Sequence, residues 1–317
     1  MYTPRHWKNV NLLSILLCPL GWLYGLATAL RLAFHKPQKV SAPVICVGNL
    51  TAGGTGKTPV SIALAELLQK NGRRPFFVTR GYGGSLQDIL VEPDRHNAAQ
   101  TGDEPLLLAR RAPVVVNHRR FDGAQKAVSL GADTIVMDDG FQNPALHKDL
   151  SFIVIDGEFG LGNGFCIPAG PLREFVSRGL KRAQAVIIVG PDKHNLAAGL
   201  GLPVFHARIE PNRPPAKDNS RVIAFAGIGR PQKFYKSLAD CGFEILKTFD
   251  FPDHHFYKEA ELLELIAQAR SLKADIYTTS KDYVKIPAAL RGSFKVLEIS
   301  VVWDEPERLT KFVMQCL

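Results

Sequence analysis

From residue 40 onward, short apolar runs rich in Val, Ile and Phe alternate with longer stretches whose apolar positions recur at helical spacing. Residues 44–47, 76–79, 114–116, 134–137, 152–155 and 185–189 predict strands, with helices over 60–70, 106–111 and 123–130 between them. Alternation of this kind predicts a doubly wound parallel α/β sheet covered by helices on both faces. A polar, proline-rich stretch at 210–220 interrupts it as a linker does. A second α/β unit follows, with strands expected at 222–226, 245–248, 276–279 and 296–301. Helices are expected near 232–241, 258–271 and 306–315. The organisation predicted is therefore a segment 1–38, a larger domain 39–212, a linker 213–220 and a smaller α/β domain 221–317.

The first segment follows a different pattern. Between Lys8 and Arg31 lie 22 uncharged residues, enough to cross a bilayer. Pro19 and Gly21 interrupt the run, Asn11 and Ser14 dilute it, and Trp7, Trp22 and Tyr24 are types favoured at the headgroup boundary. Three readings stand: a helix lying in the membrane surface, a span, and a buried domain helix. The first is the working expectation. A cleaved signal peptide is not expected, because no clear small-x-small site precedes the first strand.

Charge sharpens this picture. The 317 residues carry a formal +9, yet residues 1–40 hold Arg5, Lys8, Arg31, Lys36 and Lys39 with no acid. The remaining 34 basic side chains face 30 acidic ones, too even a balance for a nucleic-acid surface. The basic bias belongs to the N-terminus, where it would attract anionic lipid. Five scattered cysteines without a C-x-x-C pair suggest neither a disulfide framework nor a zinc site.

The candidate chemistry begins where the first strand runs into Thr51-Ala52-Gly53-Gly54-Thr55-Gly56-Lys57-Thr58. Strand, glycine turn and helix in that order point to a phosphate-binding loop, the alternative being an ordinary glycine turn before a helix. Backbone N–H groups converge on phosphate, Lys57 reaches the β- and γ-phosphates, and Thr58 ligates Mg²⁺. The pattern asks for glycine where Thr51 stands. A second strand ends in Asp138-Asp139-Gly140, as a strand presenting carboxylates to Mg²⁺ does. The alternative for this pair is an ordinary turn. A nucleotide-switch GTPase would need an N/T-K-x-D motif, and Thr279-Ser280-Lys281-Asp282 does not supply it.

These elements, with Gly48-Asn49-Leu50, Thr79-Arg80-Gly81-Tyr82-Gly83, Gly102-Asp103-Glu104-Pro105 and Asp138-Asp139-Gly140-Phe141-Gln142, resemble the tetraacyldisaccharide 4'-kinase family of lipid A biosynthesis. The resemblance continues through Pro171-Leu172-Arg173-Glu174, Phe251-Pro252-Asp253-His254 and Thr278-Thr279-Ser280-Lys281-Asp282, and so covers nearly the whole chain. It includes the residue at Thr51.

The resemblance implies a P-loop kinase that moves the γ-phosphoryl group of ATP, with Mg²⁺, to the 4'-hydroxyl of a tetraacyldisaccharide 1-phosphate. It places the enzyme at the cytoplasmic face of the inner membrane. No nucleic acid and no obligate protein partner are expected. It further implies Asp103 as the proton acceptor with His254 beside it, and Glu174 as an additional metal-facing acid with Asp138 and Asp139. Arg80, Arg120 and Arg173 are candidates for phosphate or substrate contacts, since a guanidinium matches phosphate bidentately. Without the resemblance, Asp103 reads equally as a helix cap and His254 as a loop histidine. Because these two lie on opposite sides of the linker, the domains are expected to close on ATP and lipid before transfer. Two other readings remain at this point: a membrane-associated ATPase switch and a kinase of a soluble metabolite.

Overall fold

A computed structural model describes residues 4–212 and 220–317. Most of the expected linker, 213–219, lies outside the described residues.

Thirteen strands are described: β1 (Val44–Gly48), β2 (Pro75–Thr79), β3 (Ile89–Leu90), β4 (Val114–Val116), β5 (Thr134–Asp138), β6 (Leu150–Asp156), β7 (Ala185–Val189), β8 (Val204–Pro211), β9 (Arg221–Ala226), β10 (Glu244–Asp250), β11 (Asp275–Thr279), β12 (Lys295–Leu297) and β13 (Ile299–Trp303). The larger sheet has the order β13-β8-β7-β6-β1-β5-β2-β4-β3. It is parallel from β8 to β4, with β13 and β3 added antiparallel at its two edges. Strands β1, β2, β4, β5, β6 and β7 are buried along their whole length, as their near-continuous apolar sequences require of a sheet covered on both faces. One face packs on the helix Lys57–Lys70 through Val60, Leu64 and Leu68, the other on Ala124 and Ala127 of the helix Arg120–Ser129. The smaller sheet, β10-β9-β11-β12, is parallel and has its own core around Phe225, Leu262 and Leu265 on one face and Phe234 and Leu238 on the other.

Two departures from the expected organisation have a common cause. The run 296–301 is two strands, not one. Lys295–Leu297 closes the small sheet, and after Glu298 the chain crosses to the large sheet, where Val301 pairs with Ile209. Leu309 and Val313 of the helix Pro306–Gln315 then bury against the large sheet's core. Residues 299–317 therefore pack with the larger unit. The partner strand β8 takes in Glu210 and Pro211, which had been expected to open the linker.

The N-terminal helix Leu12–Phe34 is started by a capping box, in which the Asn11 side chain accepts from Ser14 N and Ser14 Oγ accepts from Asn11 N. Its buried face is made of small residues, Ser14, Gly21, Gly25, Thr28 and Ala29. A Cβ at Gly21 would stand 2.6 Å from the Cys166 carbonyl oxygen, and one at Gly25 2.7 Å from the Phe175 ring. The helix thus lies flush on the segment 166–175. Its large apolar side chains point away: Leu16 is 67% exposed, Trp22 65% and Phe34 82%. A core helix is the reading this overturns. Trp7 also departs from expectation. It is buried, with Nε1 donating to the Pro168 carbonyl at 3.0 Å, so it serves packing rather than a headgroup boundary.

Candidate active site

The ends of β1, β2, β5 and β6 open on one side of the large sheet, where α/β folds bind ligands. The phosphate loop leaves β1 there. Asn49 is fully buried, and its Nδ2 donates to the Thr51 carbonyl at 2.6 Å, bracing the start of the loop. Thr51 forms an antiparallel bridge with Leu172, and Ala52 N donates to the Pro171 carbonyl at 2.7 Å. That extended backbone accommodates a β-branched residue, which explains why glycine is not needed at Thr51. It is needed at Gly56, where φ is +86° and the helix Lys57–Lys70 begins. Around Gly53 and Gly54 no atom lies within 4 Å of where a Cβ would sit, leaving the loop's mouth open.

Two carboxylates face this loop from β5. Asp138 accepts from Thr58 Oγ1 at 2.9 Å and from Ser61 Oγ at 2.8 Å. Burial pushes its carboxyl up to about 7, and the charges of Glu104 and Asp139 act in the same direction. Asp139 is also raised by burial, but Lys57 and Arg173 outweigh this and hold it below the usual carboxylate range. Lys57 Nζ lies 3.7 Å from Asp139 Oδ1, and Arg173 Nη1 3.0 Å from the same oxygen.

This donor set fits Mg²⁺. Among the described residues no three carboxylate, imidazole or thiol groups form a metal cage. Mg²⁺ on a nucleotide, however, takes only one or two protein groups and fills its octahedron with phosphate oxygens and water. A buried carboxyl driven toward neutrality beside a hydroxyl and a second acid is a place where a dication restores the charge balance. Glu174, expected with this group, is elsewhere engaged. It is buried, its carboxylate bonded by Arg182 Nη2 and, at 3.0 Å, by Gln142 Nε2. Arg182 and Gln142 each take one of its oxygens, so a metal contact from Glu174 would share the carboxylate with them.

The structure brings Asp103 and His254 together. Gly102, at φ +90°, is the helix cap, so Asp103 is the first residue of the helix Asp103–Ala109 and not its cap. Its Oδ1 accepts from Glu104 N at 2.9 Å. His254 Nδ1 lies 3.0 Å from Oδ2 and 3.2 Å from Oδ1. Burial raises Asp103, but His254 and Lys281 prevail and hold it below the usual range. His254 is raised, chiefly by the hydrogen bond to Asp103, against burial and the Lys281 charge. The His254 backbone stands at φ +61°, uncommon for a residue with a Cβ, and Tyr82 packs edge-on against the ring at 5.7 Å.

The arginines differ in placement. Arg120 is 6% exposed, bonded through Nη1 to the Asn117 carbonyl, and its Nε is buried without a protein acceptor. Burial and the neighbouring Arg80 charge depress it to about 10, with Asp139 and Asp138 opposing. Arg173 is bound to Asp139, and Arg80 is exposed. Lys281 also joins the site, from within the Thr278-Thr279-Ser280-Lys281-Asp282 motif, where nothing in the sequence sets it apart. Its ammonium sits 3.2 Å from His254 Nε2, 3.4 Å from Asp253 and 3.8 Å from Glu104. Ser61 was overlooked as a site residue. One turn after Thr58 on a helix facing β5, it lay where helical spacing would have put it.

Comparison with known proteins decides the family. A profile of the tetraacyldisaccharide-1-P 4'-kinase family, LpxK, matches residues 13–317. The chain belongs to this family. A tetraacyldisaccharide 4'-kinase of Paramagnetospirillum magneticum is 47% identical over 98% of this chain and 97% of its own. One from Parvibaculum lavamentivorans is 49% identical over 91% of this chain and 88% of its own. Among solved structures, LpxK from Aquifex aeolicus in complex with ATP superposes with a TM-score of 0.79 at 28% identity, covering 96% of this chain and 99% of that one. The P-loop kinase fold and ATP as nucleotide are those of the family, and its members are enzymes of lipid A biosynthesis.

Proposed function

We propose that this chain transfers the γ-phosphoryl group of ATP to the 4'-hydroxyl of a tetraacyldisaccharide 1-phosphate at the cytoplasmic surface of the inner membrane, giving lipid IVA. The observation that carries this reading is the Asp103–His254 pair, whose neighbour Glu104 is near enough to the phosphate-loop acid Asp138 to raise it. Phosphoryl transfer depends on alignment, charge neutralisation and an acceptor for the hydroxyl proton.

The backbone of Thr51 to Gly56 holds the phosphates, and Lys57 leaves Asp139 to reach the γ-phosphate. Asp103 accepts the 4'-hydroxyl proton, with His254 orienting its carboxylate. Arg120 directs its free Nε at a phosphate, and Arg173 and Arg80 line the approach. Thr58, Asp138 and Asp139 would hold Mg²⁺, which would supply positive charge to the phosphates. The two units meet through His254 and Asp103, so their relative motion admits and encloses the substrates.

The helix Leu12–Phe34 lies in the membrane surface in this proposal. Protein covers one side of it at Ser14, Gly21, Gly25 and Thr28, and the exposed side is apolar, which suits immersion to part of a bilayer's depth better than a crossing. The direct test uses ATP labelled at the γ position and detergent-dispersed tetraacyldisaccharide 1-phosphate. Label should move to the lipid. Hydrolysis without lipid labelling would sink the assignment.

A further inference from the structure

Lys281 stands where a histidine's second nitrogen usually meets water or a carbonyl. Its side chain is 21% exposed and its Nζ lies 3.2 Å from His254 Nε2, while His254 Nδ1 faces the Asp103 carboxylate. An ammonium has three donors and no acceptor. It makes a hydrogen bond with an imidazole nitrogen only if that nitrogen is unprotonated. A carboxylate alone would tolerate two forms of the ring: neutral with the proton on Nδ1, or an imidazolium salt-bridged to it. The ammonium at Nε2 favours the first, because it can donate to a bare Nε2 and can only repel an Nε2–H.

We propose that Lys281 is a positioning residue that keeps His254 a neutral Nδ1–H imidazole, donating from Nδ1 to Asp103 and accepting at Nε2 from the lysine. The inference rests on the reading of Asp103 as proton acceptor and deepens it. The Lys281 charge already lowers Asp103; an imidazolium 3.0 Å away would add to this and blunt its basicity further, whereas a neutral ring orients the carboxylate at less cost to proton affinity.

The surroundings hold the lysine in this role. Asp253 Oδ1 at 3.4 Å and Glu104 Oε1 at 3.8 Å share its charge, and Asp103 Oδ2 lies 3.9 Å away. Although burial opposes it, these carboxylates raise Lys281 above its ordinary value, so the lysine remains a cation. The backbone that carries Lys281 is fixed by its neighbour. Asp282 is fully buried, accepts from Thr279 Oγ1, Tyr257 Oη and Gly227 N, and pairs with Lys285. The other groups facing the ring are Tyr82 and Asp253.

The test is ¹⁵N NMR of the full-length protein labelled at histidine, with His254 assigned by its loss in H254A and followed across a pH titration. Above its midpoint the ring should show a pyrrole-type Nδ1 and a pyridine-type Nε2. Lys281→Met should raise the midpoint by about one pH unit, the shift expected on removing a like charge at this range. Lys281→Arg, which keeps a donor-only cation, should hold it near the wild-type value and guards against a folding defect in the first variant. A neutral ring protonated at Nε2, or a midpoint unmoved in Lys281→Met, overturns the proposal.

Kinetics supply an independent arm. Lys281→Met should lower kcat about tenfold at pH values below its new midpoint, with the KM for ATP unchanged, and should have a clearly smaller effect in an H254A background, where only its direct charge on Asp103 remains. An equal loss in both backgrounds means that Lys281 acts without His254 and also overturns the proposal. Near-normal turnover in Asp103→Asn would instead defeat the proton-acceptor reading, leaving the NMR result to stand by itself.

Discussion

The His254 ring and the Asp103 carboxylate lie 3.0 Å apart although 151 positions of chain separate them. One comes from the loop after β10 in the small sheet, the other from a helix start beside the large sheet. Asp103→Ala should lower kcat by roughly 10²- to 10⁴-fold, the range for a general base, and leave ATP affinity intact. Single-turnover kinetics alongside nucleotide titration will separate the two quantities. Near-normal turnover would mean that the proton goes elsewhere.

Lys57 should show the opposite division. It contacts the nucleotide in the proposed mechanism, so Lys57→Ala should weaken ATP binding by about tenfold or more, equivalent to about 1.4 kcal/mol, and abolish detectable lipid labelling. Calorimetric titration with a non-hydrolysable ATP analogue measures the first effect. Wild-type affinity in the variant would place the lysine outside the phosphate site.

The pair between Asp103 and His254 also has a pH signature. Asp103 is lowered in the fold, so its contribution to stability is present above the ordinary carboxylate value near 3.8 and fades as pH falls through the folded one. His254 is raised, so its contribution is full below its ordinary value of 6.5 and fades as pH rises through the folded one. The stability difference between wild type and His254→Ala should therefore be largest between about pH 4 and about pH 6.5. Urea denaturation across pH 3 to 9 tests this, and a flat difference would count against an ionic component.

Lys285 and Asp282 form a fully buried ion pair at 2.7 Å, with the ammonium also 5.1 Å from the centre of the Tyr257 ring. Lys285→Met leaves a buried carboxylate without its counter-charge and should destabilise the protein by about 3–5 kcal/mol. Chemical denaturation monitored by fluorescence reads this directly, and a loss below about 1 kcal/mol would show that the three hydrogen bonds to Asp282 suffice.

Leu16 and Leu23 stand two turns apart on the exposed face of the N-terminal helix. Replacing both by Glu should reduce partitioning onto anionic vesicles by at least about tenfold, since each leucine buries about 1.5–3 kcal/mol of apolar surface when immersed. The fold should survive, because neither side chain enters the core. Unchanged flotation with vesicles would remove the helix from membrane attachment.

The phosphate loop, the Asp138-Asp139 strand end and most strands were legible because each is a local pattern. Apolar runs from β1 to β7 have one reading once they are buried on both faces. The strand β13 was not legible, since the choice between extending β12 and pairing with β8 is decided by contacts some 90 positions away, between Val301 and Ile209. Strand β8 itself breaks its apolar pattern with exposed Arg208 and Glu210 and ends on Pro211, so its second half reads as loop. Trp7 was misassigned because residue type says nothing about whether a carbonyl such as that of Pro168 waits for its N–H. Lys281 illustrates the same limit. Only the fold shows that its ammonium ends on an imidazole brought in by another loop.

The segment 166–175 has two neighbours. Gly21 and Gly25 of the N-terminal helix press on Cys166 and Phe175, while Pro171, Leu172 and Arg173 bond Ala52, Thr51 and Asp139. If the N-terminal helix lies on the membrane as proposed, this segment connects it to the nucleotide site and would set the height of the γ-phosphate above the bilayer. A fixed height selects among hydroxyls by their depth: a sugar hydroxyl at one distance from the acyl chains is in reach, and chemically similar ones nearer to or farther from them are not.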